Sequence, residues 1–434
     1  MRACTGSLCS AWSEVWYFVF GSRTDLDGDG VADVLVGAPQ LTSGGGAFVF
    51  PAGLSSSPWQ VDSLASDPAA ATGSSVAALG DVDGDGYSDM ILGAPAEDYG
   101  GATDPGRAYL VLGGANEPVA AWQSVTIPRA VNFVSFGAWV SAIGDVNGDG
   151  YADVAIGAPN MIDDAETNNG GAVFIFYGGP SALTGPTILR SPEPVSSAAF
   201  GQSVASADLD HDGYADVVAL EPSGRIGTTR RWRGWVFSGG PTGVASTSIE
   251  LGAGIPDADA GGGFSDVAAL PGPEPRLVIA AERASVGGLT NAGRVYVFVA
   301  SNLISPAWTI DAATPQADER FGASVADAGD VFSDGFRDLV VGVPNARMEV
   351  IDLGPDGPTG VRAIVNGFGA VGYASSVCGV GDTNGDEHAD VQVGNPMTAQ
   401  STVWLGGLSS LMDPPRMSFT GTGRLGTSCA SDTP

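Results

Sequence analysis

The chain has 434 residues, too many for one compact core, so it is either several domains or a repeat array. Acidic residues number 49 against 18 basic ones, a net charge of −31, which argues against nucleic acid as a partner because neutralising phosphates needs a basic face. Hydrophobic residues at 44% exclude wholesale disorder, no apolar run reaches the ~18 residues of a membrane-spanning helix, and all 18 basic residues are Arg, which excludes lysine nucleophiles and Schiff bases.

In chain order, residues 1–24 are an atypical N-terminal segment with an interrupted apolar run, a poor signal peptide. From there an acidic string recurs: DLDGDGVAD at 25–33, DVDGDGYSD at 81–89, DVNGDGYAD at 145–153, DLDHDGYAD at 208–216 and DTNGDEHAD at 382–390. A weaker copy, DVFSDGFRD, stands at 330–338. The gap of 122 residues between starts 208 and 330 is about twice the other spacings, so a degenerate copy is expected near 269. FSDVAALPGPEPRLVIAAE at 264–282 supplies it, with flanking strands around a shortened, ligand-free turn at 271–276. Seven units of about sixty residues follow.

Each unit repeats one grammar. A lead segment of small residues, such as FGAWVSAIG at 136–144, enters the acidic loop, and a short apolar run ending in Gly-Ala-Pro or its relic leaves it, as in MILGAP at 90–95. A variable Gly, Asn and Asp-rich connector precedes a second β-rich run, such as RAYLVLGG at 107–114. Runs of four to seven β-branched and aromatic residues punctuated by Gly and Pro read as short strands. The expected fold is therefore all-β, a seven-bladed β-propeller over 25–430 with a tail at 431–434, favoured over a linear solenoid by the strand count per unit. Small lead residues suit inner strands that converge on an axis. RLGTSCA at 424–430 aligns with the lead strand RFGASVA at 320–326 and is expected to complete the first blade, whose own start, WYFVFGS, resembles a later strand. The rival reading is a longer array cut in mid-repeat.

In the pattern D-x-D-x-D-G-x-x-D, the side chains at positions 1, 3, 5 and 9 and the carbonyl at 7 can curl around one hard cation, with glycine at 6 making the turn. All-oxygen ligation with three or four carboxylates suits Ca²⁺ better than Mg²⁺. The ligand sets are Asp25, Asp27, Asp29 and Asp33; Asp81, Asp83, Asp85 and Asp89; Asp145, Asn147, Asp149 and Asp153; Asp208, Asp210, Asp212 and Asp216; and Asp382, Asn384, Asp386 and Asp390. The last set has Glu387 where glycine is usual, so its turn is expected to be strained. The copy at 330–338 keeps Asp330, Asp334 and Asp338 but puts Phe332 at a ligand position. One acidic Gly-rich string is ordinarily a solvated turn; five in register between the same two strands are not. About five structural Ca²⁺ ions would move the net charge from −31 to −21.

These residues closely resemble FG-GAP repeats, the units of the seven-bladed propeller at the N-terminus of integrin alpha chains. Phe136-Gly137, Phe200-Gly201 and Phe321-Gly322 match the first half of the motif; Gly37 to Pro39, Gly93 to Pro95 and Gly157 to Pro159 match the second. The resemblance covers roughly 25–430 and implies a calcium-stabilised propeller acting in extracellular or cell-surface adhesion or ligand binding. Integrins carry calcium in only some blades, usually the later ones, whereas here blades one to four and seven carry the full pattern. The chain is read as a stand-alone bacterial relative, to which no integrin ligand specificity transfers.

The function expected is a non-catalytic binding module that meets a protein or glycan on the connector loops at 96–107, 160–171 and 281–293. No nucleic-acid partner and no membrane span are expected. One alternative is a lectin-like propeller that stacks glycans on its nine Trp, or on the basic cluster of Arg225, Arg230, Arg231 and Arg233, read otherwise as a solvated hairpin tip. Another is the accessory domain of a longer secreted hydrolase. An enzyme is disfavoured, since both histidines, His211 and His388, lie inside acidic loops. Among the cysteines, Cys4 can pair with Cys9, or one of them with Cys429; the reading adopted for all four, Cys378 included, is free or buried thiols.

Overall fold

The computed structural model describes residues 25–420 with breaks at 42–43, 52–57, 64, 66, 116–118, 129, 163–168, 181–182, 223–224, 227–228, 231, 254, 256–262, 368–369, 399, 409, 412–414 and 416, and also residues 4–5 and 8–9. Seven antiparallel sheets follow one another along the chain, each strand bonded to the next in sequence apart from a two-stranded hairpin inserted in the fourth. Blade one holds Val34–Gly37, Gly46–Phe50 and Trp59–Asp62. Blade two holds Ser75–Gly80, Asp89–Ala94, Arg107–Leu112 and Val119–Val125. Blade three holds Trp139–Gly144, Asp153–Ala158, Ala172–Tyr177 and Thr184–Leu189. Blade four holds Val204–Ala207, Asp216–Glu221, Arg233–Phe237 and Ser248–Leu251. Blade five holds Asp266–Leu270, Arg276–Ala281, Arg294–Val299 and Trp308–Ile310. Blade six holds Ser324–Gly329, Asp338–Val343, Arg347–Gly354 and Gly357–Asn366. Blade seven holds Ser376–Gly381, Asp390–Asn395, Gln400–Trp404 and Met417–Thr420. The expected seven-bladed propeller is the fold.

Each second strand is buried along its whole length, as in DMILGA of blade two and DVAIGA of blade three. A sheet sandwiched between two neighbours buries both faces, so these strands read as unbroken apolar runs rather than alternations. Cores lie between blades rather than within them. Val154 and Ile156 of blade three meet Ile91 and Leu110 of blade two, and Leu339 and Val341 of blade six meet Val278 and Val297 of blade five. The ring closes through the same device, since Val380 and Val403 of blade seven pack with Val34, Val36 and Phe50 of blade one. Blade one has three strands among the described residues; 424–430, expected to supply its inner strand, and 16–22 lie outside them.

Cys378 is buried in that closing cluster and is disulfide-bonded, which corrects the expectation of a thiol. Spacing along a chain does not measure distance across a closed ring. Cys4 and Cys9 face each other as backbone partners in a short hairpin; Cys429 lies outside the described residues.

The two halves of the FG-GAP motif meet across blades. A Cβ on Gly93, in the Gly-Ala-Pro of blade two, would sit 2.0 Å from the carbonyl oxygen of Gly137, in the Phe-Gly entering blade three. Gly157 stands in the same relation to Gly201, at 2.1 Å. Only glycine allows these backbones to cross, while the adjoining Phe136 and Phe200 fill fully buried positions in the interblade cores.

Candidate metal centres

The antiparallel meander puts all the acidic loops, which join inner to second strands, at one end of the ring, and the variable connectors at the other. Each loop folds around its first aspartate. In blade two Asp81 Oδ1 accepts the N–H groups of Gly84 and Asp85 at 2.6 and 3.1 Å, and Oδ2 accepts that of Gly86 at 2.9 Å. Asp83 and Asp85 each accept the N–H two residues on, at 3.1 and 2.9 Å. The loops of blades three, four and seven repeat this scheme around Asp145, Asp208 and Asp382.

Positions 1, 3 and 5 converge. Oxygens of Asp25, Asp27 and Asp29, of Asp81, Asp83 and Asp85, and of Asp208, Asp210 and Asp212 lie within 4.8 Å of one another in three separate groups. In blades three and seven an amide takes position 3, and Asn147 and Asn384 donate to Asp149 and Asp386 at 2.9 and 3.1 Å. Burial raises Asp25, Asp27, Asp83 and Asp210 above the usual carboxylate range, with neighbouring loop carboxylates adding to the shift. Asp25 is 7% exposed; its Oδ2 accepts the N–H of Gly30 at 3.0 Å, and the N–H groups of Gly28 and Asp29 face the carboxylate, the buried Oδ1 having no well-aligned donor among the described residues. The donor set is the all-oxygen one that hard cations take.

Position 9 is placed differently. Asp89 Oδ2 accepts the N–H of Val82 at 2.8 Å and Oδ1 that of Gly113 at 2.9 Å, so the carboxylate pins the loop to the exit of the third strand. Asp153, Asp216 and Asp390 do the same with Gly178, Gly239 and Gly406; Asp33 likewise bonds Leu26. The position-9 side chains stand outside the three-carboxylate groups. Each oxygen retains a second lone pair that a cation could share. Desolvation pushes Asp89 and Asp153 up to about 7, and Asp216 and Asp390 up to about 6.

This burial fixes a pH dependence for the protein stripped of divalent ions. From the ordinary value near ~4 up to about 7, the folded state holds protons on Asp89 and Asp153 that the unfolded chain has released. Stability is therefore greatest at the acidic end of that window and falls as pH rises through it. In EDTA, differential scanning fluorimetry is expected to give a melting temperature that declines from pH 5 to pH 8; a rising one would contradict the assignment of these buried carboxylates.

The sequence did not show that neighbouring loops are bonded to one another. Main-chain N–H groups of Ser88, Ala152 and Ala215 donate to the carbonyls of Asp25, Asp81 and Asp145 in the preceding blade, at 3.2, 3.0 and 3.3 Å. Tyr87, Tyr151 and Tyr214 lie over Gly28, Gly84 and Gly148 of the preceding loop; a Cβ on Gly84 would fall 2.7 Å from Tyr151 Cε1. Gly84 also has φ +81°, so Gly84→Ala combines backbone strain with a clash. It is expected to cost about 1–3 kcal/mol by urea unfolding. His211 takes the same position in blade four at φ +60°, and Glu387 takes the usual glycine position in blade seven at φ +70°, both in the left-handed region.

Other expected features divide. Trp59, Trp139, Trp232, Trp235, Trp308 and Trp404 pack against interblade cores rather than forming a stacking face. Arg233 is not on a solvated tip: it is 3% exposed, paired with Glu193 at 2.6 Å, and its guanidinium lies 5.6 Å from the Trp235 ring centre. It opens the third strand of its blade, Arg233–Phe237, which is buried along its whole length, whereas Arg225 and Arg230 belong to the inserted hairpin. Arg231 lies outside the described residues. The described residues include no helix long and apolar enough to cross a membrane.

Asp266 is the residue the sequence reading passed over. It lines an axial cavity of about 360 Å³ walled by the small residues of the inner strands. Its Oδ2 accepts the N–H of Val325 in blade six at 3.0 Å, and its Oδ1 accepts the hydroxyl of Ser203 in blade four at 2.8 Å. The aligned Ser75 and Ser324 accept the N–H groups of Val140 and Val377 from the next blades, at 3.0 and 3.3 Å, so the mouth of the channel carries a belt of interblade bonds. Aligning the lead strands on their Val would have exposed this position.

The comparisons fit the geometry. The FG-GAP repeat family model matches residues 21–50, 72–111, 136–176 and 200–231. Integrin alpha-PS2 of Drosophila melanogaster is 32% identical over 44% of this chain, and integrin alpha-IIb of Mus musculus is 32% identical over 32% of it. The matched stretch is 14% of either relative's length, so most of each integrin has no counterpart in the match. Among solved structures, a chain from a complex of BBS1N with ARL6DN covers 86% of this chain and 90% of its own length, at 10% identity and a TM-score of 0.49. With the motif halves meeting across blades and the acidic loops in register, the chain carries FG-GAP repeats and folds as a seven-bladed β-propeller similar to that of integrin alpha chains.

Proposed function

We propose that this propeller is a non-catalytic binding or adhesion module of the extracellular space or a cell surface, held by calcium in five acidic loops and meeting its partner at the opposite, connector end. The observation that carries the reading is the convergence of the carboxylates at positions 1, 3 and 5 in blades one, two and four, each group at the same place in its blade. Positions 1, 3, 5 and 9 of blades one to four and seven would hold the ions, from Asp25 to Asp33 in the first and from Asp382 to Asp390 in the last. Calcium there would cancel the mutual repulsion of the loop carboxylates. Flexible all-oxygen sites of this sort bind calcium at roughly 0.1–1 mM and fill where the ion is millimolar, which supports a location outside the cytoplasm.

The chain's own residues divide the work. The stitched acidic end gives rigidity. The connector end can vary in sequence without disturbing it, with Thr103, Arg283 and Leu289 exposed there. The lectin-like alternative is weakened by the use of six tryptophans in packing among the described residues.

The test is capture of matrix proteins and glycans by the immobilised protein, with calcium at about 1 mM and then in EDTA. Calcium-dependent capture that Thr103→Arg or Leu289→Asp abolishes, with the melt unchanged, is the expected result. Capture unaffected at the connector end but lost on altering the acidic end would contradict the proposal.

A further inference from the structure

The sixth blade keeps the acidic turn yet differs from the others in what faces it. Asp330 still accepts the N–H groups of Asp334 and Gly335 at 3.0 and 2.9 Å, so the loop has the same shape. Position 3 is Phe332, 2% exposed, which offers no oxygen. Over its ring, 4.1 Å from the centre, lies the guanidinium of Arg362 from the outer strand of the same blade. Arg362 Nη1 is 3.4 Å from Asp334 Oδ2 at position 5, and it donates to Asp352 Oδ2 of the third strand at 2.9 Å. Arg362 Nη2 donates to the carbonyl of Leu408 in blade seven at 3.0 Å.

We infer that Arg362 is a built-in cation that takes the place of a divalent ion in blade six, so that this blade is stapled to itself and to blade seven without metal. The inference rests on the calcium reading of the other loops. Three features carry it. The position-3 ligand is replaced by a ring whose face attracts a cation. The fixed positive charge bonds the position-5 carboxylate, and a divalent ion in the same turn would meet both its repulsion and a shortage of oxygens. The guanidinium reaches loop, third strand and next blade together, because a planar fork has five donors to distribute. Ser333 extends the metal-free join, its hydroxyl donating to the Glu387 carbonyl at 3.1 Å and lying 2.7 Å from His388 Nδ1 in the loop of blade seven.

Calcium bound per chain, measured by equilibrium dialysis, tests this on three proteins. Asp330→Asn/Asp334→Asn is expected to bind as many ions as the unaltered chain, and Asp81→Asn/Asp85→Asn one fewer. Loss of one ion from the Asp330→Asn/Asp334→Asn variant overturns the inference while leaving the calcium reading intact. An unchanged count in the Asp81→Asn/Asp85→Asn variant overturns the calcium reading itself, and this inference with it. Arg362→Gln supplies a readout independent of metal: its melting temperature is expected to fall by the same amount in calcium and in EDTA. A drop confined to calcium, or none, overturns the assignment.

Discussion

Chelation with EDTA is expected to lower the melting temperature by roughly 8 °C relative to calcium at about 1 mM. A site with a Kd of about 0.1 mM gains roughly 1.4 kcal/mol at that concentration, so five sites give about 7 kcal/mol. Unfolding entropy of about 2.1 cal/mol/K per residue, over 434 residues melting as one unit, is roughly 0.9 kcal/mol/K, which sets the size of the shift. The effect should be cooperative around the ring. The loops of blades one to four are bonded in series through Ser88, Ala152 and Ala215, so slackening one loop loosens its neighbour. Scanning calorimetry with and without chelator checks it, and a melt that ignores calcium would mean that the loops are held by their backbone bonds alone.

The second large effect lies far from the loops. Asp266→Ala removes the acceptor for the Val325 N–H and for the Ser203 hydroxyl, both buried, and breaks contact with two neighbouring blades at once. Leaving such groups unpaired costs about 1–3 kcal/mol each, so a loss of roughly 2–5 kcal/mol in urea unfolding is expected. Asp266→Ser should recover most of it, since Ser324 at the aligned position of blade six accepts the corresponding N–H of Val377. Equal losses in the two variants would show that the belt does not carry the energy and that the carboxylate's size alone matters.

Much of this architecture is legible from residue order because a repeat prints its own register. Apolar runs such as Met90–Ala94 are continuous where both faces are covered, and the acidic string marks the inner turn of every blade but the fifth. The Phe-Gly and Gly-Ala-Pro halves signal a close crossing even before their partners are known. What stayed hidden is whatever depends on which blade stands beside which. Tyr151 over Gly84 and the bond from Asp266 to Val325 join residues about one repeat apart in the chain. Arg233 was misread for a related reason: a run of arginines looks like a surface patch until one of them is seen to open a strand buried between blades, where it pairs with Glu193. Arg362 gave no signal, since no spacing rule links an outer-strand arginine to a turn some thirty residues before it.

A crystal grown in calcium and measured at long wavelength, where the ion scatters anomalously, addresses the central claim most directly. The account predicts five anomalous peaks, one inside each of the loops 25–33, 81–89, 145–153, 208–216 and 382–390, and none at 330–338 beside Arg362. Loops free of peaks in such a crystal, with their carboxylates turned out to water, would contradict it.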